Sequence, residues 1–175
     1  MTMHVTLRDG TSIELRHTAL GDRDELAALF ARMGALSRHH RYFDARAEPD
    51  LCWLDRACER DLAIVACNGA HIVGLARCVE VAPRIAEVAF EVGDTDQHHG
   101  IGTALLAHVA RMASSIGFST LRADVESGNR DMLGVFAHSG YAQRRQTDRD
   151  GCHIELSLGA RTSTKIALAS TSHDG

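Results

Sequence analysis

The sequence predicts a single α+β domain, in which a mostly antiparallel sheet is flanked by helices. Its 175 residues are the length of one ordinary domain. Its content of 45% hydrophobic and 24% charged residues is typical of a globular protein. Its predicted elements run in the order strand, helices, antiparallel strands, helix, strand, helix and strands, which a purely helical or purely β architecture cannot accommodate.

The first elements are a hairpin and a helix. Residues 5–8 and 11–16 flank Asp9-Gly10, a two-residue turn signal, and therefore predict two paired strands. Asp22 followed by Glu25 has the form of a capping box, which predicts the start of a helix. One face of this helix is apolar: Leu26, Leu29, Phe30 and Met33.

Residues 36–60 are helical in outline, with a break near Pro49. Leu51, Leu54 and Cys58 give the second piece an apolar face. A basic cluster at residues 38–41 is typical of a solvated helix face, and the alternative is that it lines a substrate entrance.

The rest of the chain alternates between strands and helices. Residues 62–67 and 70–81 flank Asn68-Gly69, the strongest hairpin signal in the sequence. The remaining predicted strands are 86–92, 121–125, 141–145 and 152–158, and the remaining helices are 100–116 and 129–139. Residues 161–175 are rich in Ser, Thr and Ala without a clear period, so we expect a domain at 1–160 and a disordered tail at 161–175.

Charge and composition exclude several functions. The net charge of −4 gives no general attraction to nucleic acid or to anionic lipid, and no apolar run approaches the roughly 20 residues that span a bilayer. Adjacent histidine pairs without H-x-x-x-H spacing predict no metal site. The five cysteines are odd in number and never form C-x-x-C, a pattern that favours reduced thiols and a cytoplasmic location: Cys52, Cys58, Cys67, Cys78 and Cys152.

A strand, a polar loop with two glycines and a helix follow one another at residues 87–106. Such a junction directs several backbone N–H groups and a positive helix end to one point, which suits a phosphate group. The loop lacks the Gly-Lys-Ser/Thr of a P-loop, and Leu105 stands where a dinucleotide fingerprint needs a third glycine. The pattern that fits is Gln97-x-x-Gly100-x-Gly102.

This pattern resembles the Q/R-x-x-G-x-G/A motif of the GNAT acyltransferase superfamily, and the likeness continues over residues 62–158. Residues 129–141 resemble the second signature of the family, a helix that opens with Asn and closes with Gly and an aromatic residue. The resemblance implies a GNAT-like fold and acetyl-CoA as cosubstrate, with the loop amides on its pyrophosphate. The expected cofactor-binding residues are Phe90, Val92, Gln97, His98, His99, Gly100, Ile101, Gly102, Thr103, Asn129 and Phe136.

Two of these assignments have an alternative. His98 and His99 are expected to be solvent-exposed unless one of them contacts the cofactor. Asn129 either bonds the amide-bearing arm of coenzyme A or is a plain N-cap. Phe136 stands where many GNAT enzymes carry a tyrosine that protonates the leaving thiolate. Either another group or water is expected to protonate it, or the thiolate leaves unaided.

Acetyl transfer to an amine requires the neutral amine. A lysine is neutral in only about one part in a few thousand at pH 7, which costs roughly 4–5 kcal/mol, so a base in the cleft is expected. Glu87 and Glu91 lie on one face of the strand that leads into the loop, opposite Val88, Phe90 and Val92. We predict Glu87 as the general base, with Glu91 as second choice, and the Val92 N–H as the donor to the thioester carbonyl. Otherwise Glu87 would pair with an arginine such as Arg77 or Arg84.

A finer resemblance concerns the acceptor. Residues 7–10, 36–43 and 86–90 are similar to the catalytic domain of bacterial protein lysine acetyltransferases that modify acyl-CoA synthetases, and Glu87 matches their catalytic glutamate. The resemblance implies a protein lysine as acceptor. The net charge and the lack of a long apolar run predict no nucleic-acid or membrane partner. The alternatives are a small-molecule amine acetyltransferase and a non-catalytic module that senses coenzyme A.

Overall fold

An eight-stranded sheet with the strand order β1-β2-β3-β4-β5-β6-β8-β7 organises the fold. The computed structural model describes residues 2–44, 50–55, 61–149 and 151–161. Neighbouring strands are antiparallel except β5 and β6, which are parallel. The strands are β1 (Met3–Thr6), β2 (Ser12–His17), β3 (Leu62–Asn68), β4 (His71–Ala82), β5 (Ile85–Val92), β6 (Thr120–Val125), β7 (Tyr141–Thr147) and β8 (Cys152–Arg161).

Helices cover both faces of this sheet. They are α1 (Arg23–Ala31), α2 (Ala35–Tyr42), α3 (Ile101–Ser115) and α4 (Arg130–Ala137), with short 3-10 helices at Leu20–Asp22, Cys52–Asp55 and Asp94–Asp96. Alternate residues of β3 enter two different cores, as period-2 side chains must. Ile64 and Ala66 join the larger core with α3 and α4, and Val65 and Cys67 join the smaller one with α1. The α+β class predicted from the sequence is confirmed.

Most predicted elements are present within a few residues of their predicted bounds. The hairpins turn at Gly10 (φ 86°) and Gly69 (φ 59°), where glycine relieves the strain of a left-handed backbone. The predicted helical region at 36–60 contains α2 and one 3-10 helix, while Pro49 and Cys58 lie outside the described residues. β8 continues to Arg161, the first residue of the predicted tail, and residues 162–175 also lie outside the described part.

The capping box predicted at Asp22 and Glu25 is wrong. The Asp22 carboxylate accepts two hydrogen bonds of 2.8 Å from Arg16 and one of 2.7 Å from the Ala19 N–H. Glu25 Oε2 accepts from the Ile72 N–H on β4 instead. A bidentate arginine pair binds a carboxylate more strongly than a helix N–H does, so the tertiary contact prevails.

The described residues contain no helix that is long and apolar enough to cross a membrane. Among the same residues, no group of three or more His, Cys, Asp or Glu side chains is placed to hold a metal ion. Four described cysteines are free thiols, and three of them are buried: Cys67, Cys78 and Cys152.

Candidate active site

A cleft opens where β5 and β6 separate. The two parallel strands pair at Ile85–Thr120, Ala86–Leu121 and Glu87–Arg122, and the register ends there although both strands continue. Residues 88–92 and 123–125 then line a cavity of about 740 Å³. The separation leaves a free strand edge beside the cavity, which suits a ligand with backbone-like amides.

The predicted phosphate loop lies at the end of this free edge. Gly100 has a left-handed backbone with φ 95°, and so does His98 with φ 66°. The first helical bond of α3 runs from the Ala104 N–H to the Gly100 carbonyl, so residues 100–103 carry the N–H groups that the helix does not use. Their position at the positive end of a 15-residue helix fits an anionic phosphate.

Gln97 holds the loop through its side chain. Its Nε2 lies 3.1 Å from Ser37 Oγ on α2, 3.3 Å from the Val92 carbonyl and 3.3 Å from Asp94 Oδ1. Gln97 lines the cleft, but these contacts occupy its amide donors. Gln97 therefore connects the loop to β5 and to α2.

Gly74 on β4 lets α3 approach the sheet at this point. A Cβ on Gly74 would lie 3.0 Å from Ile101 Cγ2 and 3.1 Å from Leu105 Cδ1, which is too close without movement. Gly74 stands opposite Val92 in the register. Because Gly74 has no side chain, the N-terminus of α3 can pack closely against the sheet near the end of β5.

The two loop histidines face acidic partners. His98 Nδ1 lies 3.8 Å from Asp131 Oδ2, and both side chains are exposed. His99 Nδ1 lies 2.7 Å from Asp9 Oδ2 on the β1–β2 turn. His98 lines the cleft and His99 does not.

Glu87 is the last β5 residue paired with β6. Its side chain is exposed, lines the cleft and forms no hydrogen bond or ion pair with any described residue, so the alternative partners Arg77 and Arg84 are not engaged. The register places Glu87 opposite Val79 and Glu91 opposite Leu75, which confirms that the two glutamates share a face. That face is the one that carries α1 and α2, whereas Val88 and Phe90 enter the larger core.

Glu91 is held by two residues of α2. The Tyr42 hydroxyl donates to Glu91 Oε1 at 2.7 Å. Arg41 Nε lies 3.1 Å from the same oxygen in an ion pair that lacks hydrogen-bond alignment. Burial first, and then the Glu91 charge, raise the pKa of Tyr42 well above its ordinary value, so this hydroxyl stays protonated.

The backbone N–H of Val92 is directed towards the cleft. The Gly93 N–H donates to the Val73 carbonyl on β4 at 3.2 Å. Successive N–H groups of a strand point to opposite edges, so those of Val92 and Phe90 face the free edge. This orientation fits the donor role predicted for Val92.

Asn129 and Phe136 lie on the far wall of the cleft. Asn129 caps α4, because its Oδ1 accepts from the Met132 N–H at 3.1 Å. This bond leaves only the Nδ2 group as a donor to a ligand. Phe136 is 1% exposed and meets Phe90 edge to face, with ring centroids 6.0 Å apart, so it closes the apolar floor.

The sequence analysis gave the contribution of α2 to this site only as the alternative to a solvated helix face, and it did not predict the contacts of Tyr42 and Arg41 with Glu91. His40 and Arg41 of the basic cluster line the cleft, whereas Arg38 stacks 4.7 Å above the Phe30 ring and donates to the Met33 carbonyl. His40 Nε2 also lies 3.0 Å from Glu126 Oε2, a contact that connects α2 to the end of β6. The available signal was Glu91 itself, a charge on an apolar strand that needs a partner.

Three comparisons show which known proteins have a similar sequence or fold. The model of the acetyltransferase (GNAT) family matches residues 25–141. The GNAT domain of PAT from S. lividans is similar with 26% identity and a TM-score of 0.80, over 89% of this chain and 96% of that one. The yncA protein from Salmonella typhimurium, with its cofactor acetyl-CoA, shares 16% identity and a TM-score of 0.72, over 86% of this chain and 98% of that one.

A longer protein shares the same fold. The E234A mutant of a cAMP-binding acyltransferase from Mycobacterium smegmatis has 23% identity and a TM-score of 0.64, over 95% of this chain. The present chain matches only 51% of the length of that protein. At this identity the likeness supports the fold alone.

Proposed function

The chain belongs to the acetyltransferase (GNAT) family, and we propose that it moves an acetyl group from acetyl-CoA to the Nε of a protein lysine. The observation that carries this proposal is the position of Glu87. An exposed carboxylate without an ion partner among the described residues stands where β5 and β6 separate, on the α2 side of the cleft. A base there would meet an amine that enters opposite the cofactor.

Several residues would hold acetyl-CoA in this cleft. The N–H groups of residues 100–103 would bind the pyrophosphate, and the free edge at residues 90–92 would pair with the amides of the pantetheine arm. Asn129 Nδ2 would meet the same arm from the opposite wall. When bound, acetyl-CoA supplies an acyl group whose thioester is activated towards amines.

The chain's own groups would then move the protons. Glu87 accepts a proton from the lysine ammonium, directly or through a water, so that the neutral nitrogen attacks the thioester carbon. The N–C bond forms, the C–S bond breaks, and the Val92 N–H stabilises negative charge on the carbonyl oxygen. The departing thiolate takes up one proton from the amine, and one further proton leaves to solvent.

The protein-lysine acceptor rests on the similarity to the GNAT domain of S. lividans PAT and on the sequence match at residues 86–90. An acyl-CoA synthetase is the acceptor that this resemblance favours. We also propose a cytoplasmic location, in keeping with the free thiols. The exposure of Glu87 is consistent with a macromolecular acceptor.

Labelled acetyl-CoA and a lysate of the host test this proposal. Wild-type protein should transfer label to a protein band of synthetase size, and Glu87→Gln protein should not. Label in small amines alone would reject the protein-lysine acceptor. If neither protein transfers label to anything while both bind acetyl-CoA, the non-catalytic alternative stands instead.

A further inference from the structure

A second, smaller cavity adjoins the acceptor side of the cleft. It has a volume of about 170 Å³ and shares Arg41, Tyr42 and Glu91 with the larger cavity. Its remaining wall includes Arg77 on β4 and Trp53 on the 3-10 helix. The reaction described above uses none of these side chains.

Arg77 is the unusual group in this cavity. It is half-buried, and its guanidinium carbon lies 4.4 Å from the centre of the Trp53 ring. None of its five N–H donors forms a hydrogen bond or ion pair with a described residue. Burial first, and then the nearby Arg41 charge, lower the pKa of Arg77, so the charged form is poorly accommodated without a partner.

Three acidic groups lie near Arg77, and none of them forms a hydrogen bond or ion pair with it. The charge of Asp61 attracts Arg77 without such a contact. Glu91 Oε1 already accepts from Tyr42 and pairs with Arg41. Asp50, at the exposed rim of the cavity, accepts from the Cys52 N–H at 2.9 Å. Among the described residues, the charges that line the cavity therefore balance, two arginines against Glu91 and Asp50, and the site for a further anion lies at the unused N–H donors of Arg77.

The register sets the distance from this site to Glu87. Arg77 on β4 stands opposite Ala89 on β5. Glu87 lies two residues before Ala89 on β5, and its side chain is on the same face of the sheet. Diagonal neighbours of this kind are roughly 7–8 Å apart, about the length of a lysine side chain from its backbone to Nζ. An amine at Glu87 would thus place the backbone of its lysine near Arg77.

We propose that Arg77, with Arg41, binds a carboxylate carried by the acceptor beside its reactive lysine. The carboxylate is either an acidic side chain next to the lysine or, where the lysine is the C-terminal residue, the α-carboxylate of that lysine. This inference rests on the proposed function for the identity of the amine. An arginine stacked on an aromatic ring and free at its donor edge is well suited to bidentate binding of a carboxylate.

Trp53 gives a direct readout of this site, because it is the only tryptophan in the chain and contacts Arg77. Its fluorescence is followed while the protein is titrated with Nα-acetyl-Glu-Lys-amide or with the neutral Nα-acetyl-Gln-Lys-amide. Nα-acetyl-lysine and Nα-acetyl-lysinamide form a second matched pair. We expect that, in at least one pair, the probe with the carboxylate binds about tenfold more tightly than the probe in which an amide replaces it.

The pair with the larger difference identifies the source of the carboxylate. Arg77→Gln should abolish the preference, and Arg77→Lys, which keeps the charge but not the fork, should retain part of it. Arg38→Gln is the matched control, because Arg38 also stacks on an aromatic ring but lines neither cavity. Equal affinity for charged and neutral probes, or a preference that survives Arg77→Gln, would overturn the proposal.

The binding assay separates this inference from the proposed function. Preferential binding of the acidic probe without acetylation of any lysine would reject the lysine acceptor and keep the carboxylate site. Acetylation of both peptides with equal KM values would reject the carboxylate site and keep the acetyltransferase. If Arg77→Gln protein does not fold, the comparison is made with Arg77→Lys.

Discussion

The Tyr42 hydroxyl donates a 2.7 Å hydrogen bond to Glu91 Oε1, across 49 residues of sequence. This contact gives different surroundings to two glutamates that lie four residues apart on one face of β5. Glu91 is held by α2, and its side chain is 11% exposed. Glu87 is exposed in the cleft and has no such partner among the described residues, so only Glu87 is free to exchange a proton with a substrate.

We therefore predict unequal effects for two matched substitutions. Glu87→Gln should lower kcat/KM for the amine about 10²–10⁴-fold, the range for loss of a general base, with unchanged affinity for acetyl-CoA. Glu91→Gln should lower it far less, because Tyr42 can still donate to the amide oxygen. Steady-state kinetics and calorimetric titration of acetyl-CoA measure both. The assignment of the base is wrong if the Glu91 variant loses more activity than the Glu87 variant.

The loop glycine offers a prediction with an internal control. Gly100 and Gly117 both have left-handed backbones, with φ of 95° and 98°, and a Cβ at either would meet no atom within 4 Å. Gly100→Ala and Gly117→Ala should therefore each reduce the free energy of unfolding by about 1–2 kcal/mol through backbone strain alone. Only Gly100→Ala should weaken the binding of acetyl-CoA, because only its N–H group lies at the phosphate loop.

Urea unfolding and calorimetry measure these two quantities. An equal affinity of both variants for acetyl-CoA would remove the loop from the cofactor site. A loss of stability in Gly117→Ala alone would mean that the loop relaxes to accept a side chain.

Local signals in the sequence were sufficient to predict most of the secondary structure. Asn68-Gly69 predicted its hairpin because turn chemistry depends on two residues, and α3 followed from a period of 3.6 residues that ends at Gly117. The glycine loop was equally local. Its role as a phosphate site, like that of Glu87, remains a prediction.

Contacts between distant segments could not be predicted in this way. Tyr42 and Glu91 meet only because α2 lies over β5, and no local pattern specifies that packing. The same holds for β8, which lies between β6 and β7 in the sheet. At Asp22 the local signal was misleading, since Arg16 on β2 offers the carboxylate a stronger partner than the helix N–H groups.

We predict that the buried His108 makes the free energy of unfolding depend on pH. His108 on α3 is 1% exposed, its Nδ1 lies 2.8 Å from Arg111, and its Nε2 has no hydrogen-bond partner among the described residues. Burial first, and then the Arg111 charge, lower the pKa of His108 in the folded protein, and burial likewise lowers that of His17. Below the unfolded pKa of about 6.5 the unfolded chain binds protons that the folded chain does not, so the free energy of unfolding should fall as pH decreases from 7 to 5.

His108→Leu should flatten this dependence and raise the free energy of unfolding at pH 7 by about 1 kcal/mol, since it removes an unsatisfied buried nitrogen. His153 is the opposite case, because the hydrogen bonds that its ring donates to Asp124 and Asp148 raise its pKa. Its contribution is complete below pH 6.5 and is lost as pH rises through its folded pKa, so His153→Gln should steepen the loss of stability in acid. Urea unfolding between pH 5 and 8 tests both signs. A steeper curve for His108→Leu would contradict the assignment.

Asn129 has two possible functions that can be separated by substitution. Its Oδ1 caps α4, which is a contribution to stability, and its Nδ2 is the donor that would reach the pantetheine arm. Asn129→Ser keeps a capping oxygen and removes the amide donors, whereas Asn129→Ala removes both. We expect the Ser variant to retain stability within about 0.5 kcal/mol and the Ala variant to lose about 1 kcal/mol. Both should bind acetyl-CoA more weakly than the wild type does, with little change in the affinity for 3′,5′-ADP, which lacks the arm. If the Ser variant binds acetyl-CoA normally, Asn129 is a cap and nothing more.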